Sequence, residues 1–478
     1  MPVPPILAPH GPRRRFLLVL GIICLAALAW RVGYVFWSHP SSDGYLIDEG
    51  DAFYYAVQAD QLSNGHGFYS PFDGTLAADH PPLTIIALAP VAMVFGGNVL
   101  AKRLAMAVLG TVVVAVVGLL GRRVGRWGAE PAASRRADRI GWAAAAIAAA
   151  NPNLWMNDAL VMSETLAALL YAVVFLLAYR IIDAHLAVER GPAGAPSDAR
   201  VTGWTPWAGL GVVIGLCALT RAEALLLVPL LVLPLAWWCR RRAQPAGVVP
   251  AVSRLVLAGV LVVAVVAPWS IYISSRYDRP VTLSTNDGLT LWGANCPETY
   301  FGPNLGSWSI GCVYSQLEPP DGSPPAPALA GNEADQASGL RDLGIDYATS
   351  HKSRWPQVLV ARQGRTWGVW NPSQQVYSAQ GEGRPTAASW AGLISLWVMV
   401  PVAAFGAYVG RGRPMWPLAS AIVLVVVTSA LFYGIARFRI PADVALTVLV
   451  GVALGAALDR WRSGPDPIVA TPVAGATA

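Results

Sequence analysis

Lysine is almost missing from this chain: Lys102 and Lys352 are the two among 478 residues. Charge of either sign is scarce, at 13% of residues, while 55% are hydrophobic. That is too apolar for a soluble protein of this length, and it marks a polytopic membrane protein. Acid is scarcer than base, with 28 Asp and Glu against 34 Lys and Arg, so the excess of +6 is carried by arginine. A basic balance often means nucleic acid or anionic lipid. Here the arginines stand largely at the ends of apolar runs, where they act as topology signals. No nucleic-acid module, no internal repeat and no soluble domain with its own core is expected.

Apolar stretches of spanning length run over 16–37, 98–120, 139–157, 159–181, 205–220, 222–239, 254–273, 388–410, 414–434 and 441–459. The first follows Arg13-Arg14-Arg15 and is long enough to cross, so an uncleaved helix is expected rather than a signal peptide. A further run, 83–96, is short for a span. If it crossed, the loop holding Arg122, Arg123, Arg126, Arg135, Arg136 and Arg139 would lie outside, against the positive-inside rule. It is therefore expected to lie on the outer surface. Arg240-Arg241-Arg242, Arg411 with Arg413, and Arg460 with Arg462 then all fall inside, as do both termini.

The expected class is an all-α polytopic membrane protein of the plasma membrane with about ten transmembrane helices. It adds extracytoplasmic juxtamembrane helices and one larger mixed extracytoplasmic loop region. Its parts are a cytoplasmic N-terminus, 1–15; a transmembrane core, 16–273, that includes the first outer loop, 38–97; an outer region, 275–387; C-terminal helices, 388–460; and a disordered tail, 464–478. Cys296 and Cys312 share the outer region and suit a disulfide in an oxidising exterior. The Pro, Ala, Gly and Asp-rich stretch 317–340 reads as a flexible excursion.

Polar groups collect at the outer ends of the helices. The first outer loop holds Asp48, Glu49 and Asp51, then Asp79 and His80 before Pro81-Pro82. Asp51 opens a stretch that reads as a helix, with Phe53, Val57 and Leu62 on one side. Ser163-Glu164 enters an apolar run, and Arg221 with Glu223 joins two spans as an expected pair. Lys102 and Arg103, Arg362 and Arg365, and Arg437 with Arg439 are outward basic groups that break the positive-inside rule. Carboxylates and arginines near a bilayer are costly and are usually functional. Arginine forks match phosphate oxygens. A carboxylate beside them suits a base that deprotonates an attacking hydroxyl while the arginines steady a departing phosphate. Asp51 at the start of a helix could also be simply a helix cap. Asp79 with His80 could ligate a divalent metal or meet a phosphate.

Gly50-Asp51-Ala52, Tyr55, Gly65-His66-Gly67-Phe68, His80-Pro81-Pro82-Leu83, Ser163-Glu164, Leu219-Thr220-Arg221, Ala267-Pro268-Trp269, Ser284-Thr285-Asn286-Asp287-Gly288 and Arg437-Phe438-Arg439 occur in an order that spans nearly the whole chain. The set resembles the polytopic GT-C glycosyltransferases that use polyprenyl-phosphate sugars. The nearest types are the family 39 protein O-mannosyltransferases and the lipid A aminoarabinose transferases. The resemblance implies a first outer loop that carries the catalytic acid, with juxtamembrane helices beneath it. By position Asp51 matches that acid, and Glu164 matches an acid at the equivalent helix start. The aminoarabinose enzymes carry Glu-Lys where this chain has Asp79-His80; there the acid is associated with metal and the lysine with lipid phosphate. Histidine in place of lysine weakens that positive charge. Region 275–387 departs from both families and leaves the acceptor open.

The expected activity is therefore transfer of a sugar from a polyprenyl-phosphate donor to an extracytoplasmic glycan, lipid or protein. Asp51 is the expected base. Asp48, His80, Arg103, Glu164, Arg221, Arg437 and Arg439 are the expected substrate-binding residues, and Asp79 is the expected metal ligand. The rival reading is a transporter or flippase of lipid-linked sugars. Such a protein would carry acids and breaks deep within repeated halves.

Overall fold

The structure, a computed structural model, describes residues 12–39, 50–127, 132–190, 203–242 and 248–463. Asp48, Glu49 and the tail beyond 463 lie outside the described residues. Among the described residues the chain is helical, with no strand and one isolated bridge between Tyr69 and Leu76. The outer region expected to be mixed is thus helix and loop.

In chain order the helices are α1 (Pro12–Ser38), α2 (Asp51–Ser63), α3 (Leu83–Phe95), α4 (Val99–Val124), α5 (Ala132–Ala150), α6 (Pro152–Trp155) and α7 (Glu164–Arg190). Then come α8 (Trp204–Ala218), α9 (Leu233–Arg242), α10 (Val248–Tyr277), α11 (Asn286–Ala294), α12 (Pro297–Tyr300), α13 (Ile310–Leu317) and α14 (Glu333–Ser350). The last are α15 (Trp355–Thr366), α16 (Pro372–Gln380), α17 (Thr386–Val409), α18 (Trp416–Leu431) and α19 (Ile440–Ser463).

A helix stands at each of the ten expected spans, but among the described residues seven stretches are long and apolar enough to cross a membrane. The shortfall has physical causes. Helices α8 and α18 have 15 and 16 residues, or roughly 22–24 Å at 1.5 Å per residue, less than a hydrocarbon core of about 30 Å. Helix α5 begins with Arg135, Arg136, Asp138 and Arg139 in its first turns. Helix α3 has 13 residues, too short to cross.

Helix α19 forms the centre, with 89% of its apolar window buried against 22% for α1. Close approach explains this. A Cβ at Gly451 would stand 2.7 Å from the Cβ of Ala144 on α5, and one at Gly406 on α17 would stand 2.0 Å from the Leu449 carbonyl. Small residues at helix contacts allow such packing where no hydrophobic drive exists. Before α9, residues 222–232 run as a 3-10 turn and then a π turn that carries Pro229, since proline removes a helical donor.

Charge separates along the helices. At one end Arg122 pairs with Asp138 at 2.6 Å, Arg123 with Asp183 at 2.8 Å, Arg136 with Asp459 at 3.0 Å, and Arg413 with Asp183. The first turns of α4 and α7, with Lys102, Arg103 and Glu164, stand at the opposite end. The region 286–350 has an apolar core of its own, contrary to expectation: Trp292, Cys296, Cys312, Val313, Leu329 and Leu340 pack together, and Cys296 and Cys312 form a disulfide. The expected excursion 317–340 contributes Leu329 to that core and becomes α14 from Glu333 onward.

Candidate active site

Gly50 enters α2 at φ +53°, a left-handed conformation that glycine takes without a Cβ clash. It occupies the cap position, which leaves Asp51 as the first helical residue. The helix buries Ala52, Tyr55, Ala56 and Ala59, a stripe at helical spacing, with Tyr54 and Gln58 beside it, while Phe53, Val57 and Leu62 are half-buried. Small side chains on that stripe let α2 lie against α3. The Asp51 carboxylate makes no cap bond. Its Oδ2 lies 2.6 Å from Arg437 Nη1 and its Oδ1 lies 3.4 Å from His80 Nε2. It is 31% exposed, so a reactant in solution can reach it between two cationic partners. Burial would raise its pKa, but Arg437 and His80 outweigh burial and hold the carboxyl well below the usual range.

His80 is fixed on every side. Its ring stacks on Tyr55 at 5.0 Å and meets the edge of Tyr54 at 4.9 Å. Its Nδ1 lies 3.4 Å from the Asn286 side-chain nitrogen. Pro81 and Pro82 stiffen the exit, and the Leu83 amide then donates to the Leu219 carbonyl at 2.9 Å. Burial alone would lower the histidine, yet Asp51 and Asp79 raise it. Asp79 moves upward, through burial and the charge of Asp51, against the pull of His80.

Arg437 lies below the carboxylate of Asp51. Its Nε donates to Glu164 Oε1, and its Nη1 also lies 3.3 Å from Glu382. Glu164 is 1% exposed and meets Arg221 at 3.5 Å and Arg384 at 3.9 Å. Arg221 is paired with Glu223 at 2.6 Å, as expected, and Arg384 with Glu382. Three guanidiniums therefore face four carboxylates, brought together from five separate stretches of chain. The second oxygen of Glu164 is buried without a hydrogen-bond partner, an acceptor whose desolvation is not offset. Isolated buried charges would be costly. A network in which Arg437 faces three carboxylates and Arg221 and Arg384 two each spreads that cost.

The other expected residues divide. Arg103 is buried on the first turn of α4 near His39, which is pushed down to about 4 by burial and by the Arg103 charge. Arg439 is buried but engaged elsewhere: it donates to Asn153 at 2.8 Å, to the Thr366 carbonyl at 2.9 Å and to Asp443. Arg362 donates to the carbonyls of Ala294 and Ala430, and Arg365 to those of Pro303 and Leu305. Lys102 is paired with Asp60 at 2.6 Å. Among the described residues no three His, Cys, Asp or Glu side chains converge to hold a metal ion. The place beside Asp51 that a cation would take holds the Arg437 guanidinium.

Arg384 and Glu382 were not anticipated. The signal available was an acid and an arginine alternating with glycines just before a span, Gly381-Glu382-Gly383-Arg384. Glu333 was also missed, although Asn332 and Asp335 around it make a recognisable capping box.

No family model matches the chain, and no curated protein matches it. Solved structures do share its fold. The apo oligosaccharyltransferase of Archaeoglobus fulgidus aligns with a TM-score of 0.52 at 14% identity, over 94% of this chain and 51% of that one. The same organism's oligosaccharyltransferase AglB, in complex with an inhibitory peptide and a dolichol-phosphate, aligns with a TM-score of 0.53 at 17% identity, over 95% and 52%. ArnT from Cupriavidus metallidurans, bound to undecaprenyl phosphate, gives a TM-score of 0.40 at 15% identity, over 94% and 79%. The chain thus shares the fold of the archaeal oligosaccharyltransferase, and it spans about half the length of that enzyme.

Proposed function

We propose that this protein is an integral-membrane glycosyltransferase that moves a sugar from a polyprenyl-phosphate donor to an extracytoplasmic acceptor. The carrying observation is a partly exposed Asp51 bracketed by Arg437 and His80, with Arg221 and Arg384 linked to Arg437 through Glu164. Asp51 removes the proton of an acceptor hydroxyl as its oxygen bonds to the anomeric carbon of the sugar. The bond from that carbon to the phosphate oxygen breaks, and the electron pair leaves with the polyprenyl phosphate. Arg437, with Arg221 and Arg384 behind it, steadies that charge. His80 supplies a further donor, and Arg103 is a second-line candidate for the lipid phosphate. The dolichol-phosphate held by AglB supports a lipid phosphate as the ligand class here.

The positive-inside rule supports placing the arginine-rich helix ends in the cytoplasm and the Asp51 end outside, in a plasma membrane. The test is purified protein in liposomes with a labelled polyprenyl-phosphate sugar and a cell-envelope acceptor extract. Transfer of label with release of polyprenyl phosphate supports the reading. Lipid that changes leaflet with its sugar bond intact would make it a flippase.

A further inference from the structure

We propose that Glu333 is a positioning residue for the transfer reaction, the contact through which α14 sets the Ala78–His80 segment beside Asp51. The proposal rests on the glycosyltransferase reading above.

Glu333 opens α14, where a carboxylate is ordinarily explained by the helix dipole alone. Its partners say more. Oε2 accepts the Ala78 amide at 3.1 Å and lies 2.7 Å from the Tyr277 hydroxyl, and Oε1 accepts the Thr285 hydroxyl. These three partners come from the first loop, the end of α10 and the entry to α11. Ala78 is gripped at both backbone groups, since its carbonyl accepts the Thr285 amide at 2.9 Å. Tyr277 lies 2.7 Å from the Leu76 carbonyl as well, so one tyrosine bridges Glu333 and the chain two residues before Ala78.

The grip continues to the ring of His80. Asn286 follows Thr285; its oxygen accepts the Thr290 hydroxyl at 2.9 Å, which leaves its nitrogen toward His80 Nδ1 at 3.4 Å. The other ring nitrogen of His80 faces Asp51. A shift of Ala78 therefore moves His80 against the base two residues along a stiff backbone. Glu333 also stands near Asp79, and burial followed by the Asp79 charge pushes it up to about 7. Ion pairing is therefore not what holds it; the hydrogen bonds are. Groups outside a reacting pair that orient it are typically worth ten- to hundredfold in activity.

The test compares Glu333→Ala with Glu333→Gln in the full chain. Glutamine can keep its oxygen toward Ala78 and Tyr277 and turn its amide to the Thr285 oxygen. The expected result is kcat down about ten- to hundredfold for Ala with donor KM within about threefold, and recovery by Gln to within about threefold of wild type. Amide hydrogen exchange over 76–83 should quicken in the Ala variant and not in the Gln variant. Wild-type kcat in Glu333→Ala, unchanged exchange over 76–83, or equal losses in both variants would overturn the proposal. If the Ala variant fails to fold, Glu333→Asp, one methylene too short for all three partners, takes its place with the same expectation. Exchange needs no turnover, so a wild-type protein without transferase activity would sink the function while still reading the clamp.

Discussion

Arg437 places Nη1 2.6 Å from Asp51 while its Nε donates to the buried Glu164, so one guanidinium ties the proposed base to an acid at the start of α7. That bond keeps Asp51 ionised and also makes it a weak base. In the proposed reaction, a donor phosphate that recruits Arg437 would relax the pairing and raise the basicity of Asp51.

Replacing Arg437 tests this link. Arg437→Gln should lower kcat/KM by about a hundredfold or more, the scale seen when a donor to developing charge is lost. Arg437→Lys should recover little, because an ammonium lacks the fork that bridges Asp51 and Glu164. Stability should fall by about 3–5 kcal/mol in the Gln variant, since a buried pair loses one partner. Transfer kinetics and thermal unfolding in one detergent check both.

Glu333 sets a pH dependence of stability. Its folded pKa is raised to about 7, above an unfolded value near 4.3. The folded state thus holds the proton over that window, and stability falls as pH rises from about 4 to about 7. Asp79, also raised, adds to the same slope. Thermal midpoints of Glu333→Gln should show a shallower slope than wild type. Asp51 is depressed, so its stabilisation is present above pH near 4 and lost as pH falls below that.

The disulfide closes a 16-residue separation around the small core of the outer region. Cys296→Ser with Cys312→Ser should cost about 3 kcal/mol, on the chain-entropy account. The loss should appear as proteolysis within 286–350 and leave the spans intact.

Gly110 faces Asp158, and a Cβ there would stand 2.0 Å from its carboxylate. Asp158 is bound to Arg31 at 2.6 Å and to Thr165 at 2.7 Å. Gly110→Ala should displace it and destabilise the protein by about 3–5 kcal/mol, read by thermal unfolding.

Much of this was legible in the chain. A helix from Asp51, a helix at 83–95 too short to span and the pairing of Cys296 with Cys312 agree with what polarity, length and shared region led one to expect. Charge out of place at helix ends pointed to Glu164, Arg221 and Arg437, and the structure brings them together. Arg439, Arg362 and Arg365 carried the same signal but bind carbonyls and Asp443 instead, because a lone arginine does not encode which acceptor lies nearest in space. Arg384 and Glu333 act through contacts more than 200 residues away in sequence. Among the described residues seven of the ten stretches are long and apolar enough to span, because α8 and α18 are short and α5 opens on charged residues.

The central claim is that Asp51 is the base, and Asp51→Asn tests it most directly. Asparagine fills the same space beside Arg437 and His80 but does not take a proton. Sugar transfer from a polyprenyl-phosphate donor, measured on folded protein that still binds the lipid, should fall by about a hundredfold to ten-thousandfold. Full activity in Asp51→Asn would contradict the account.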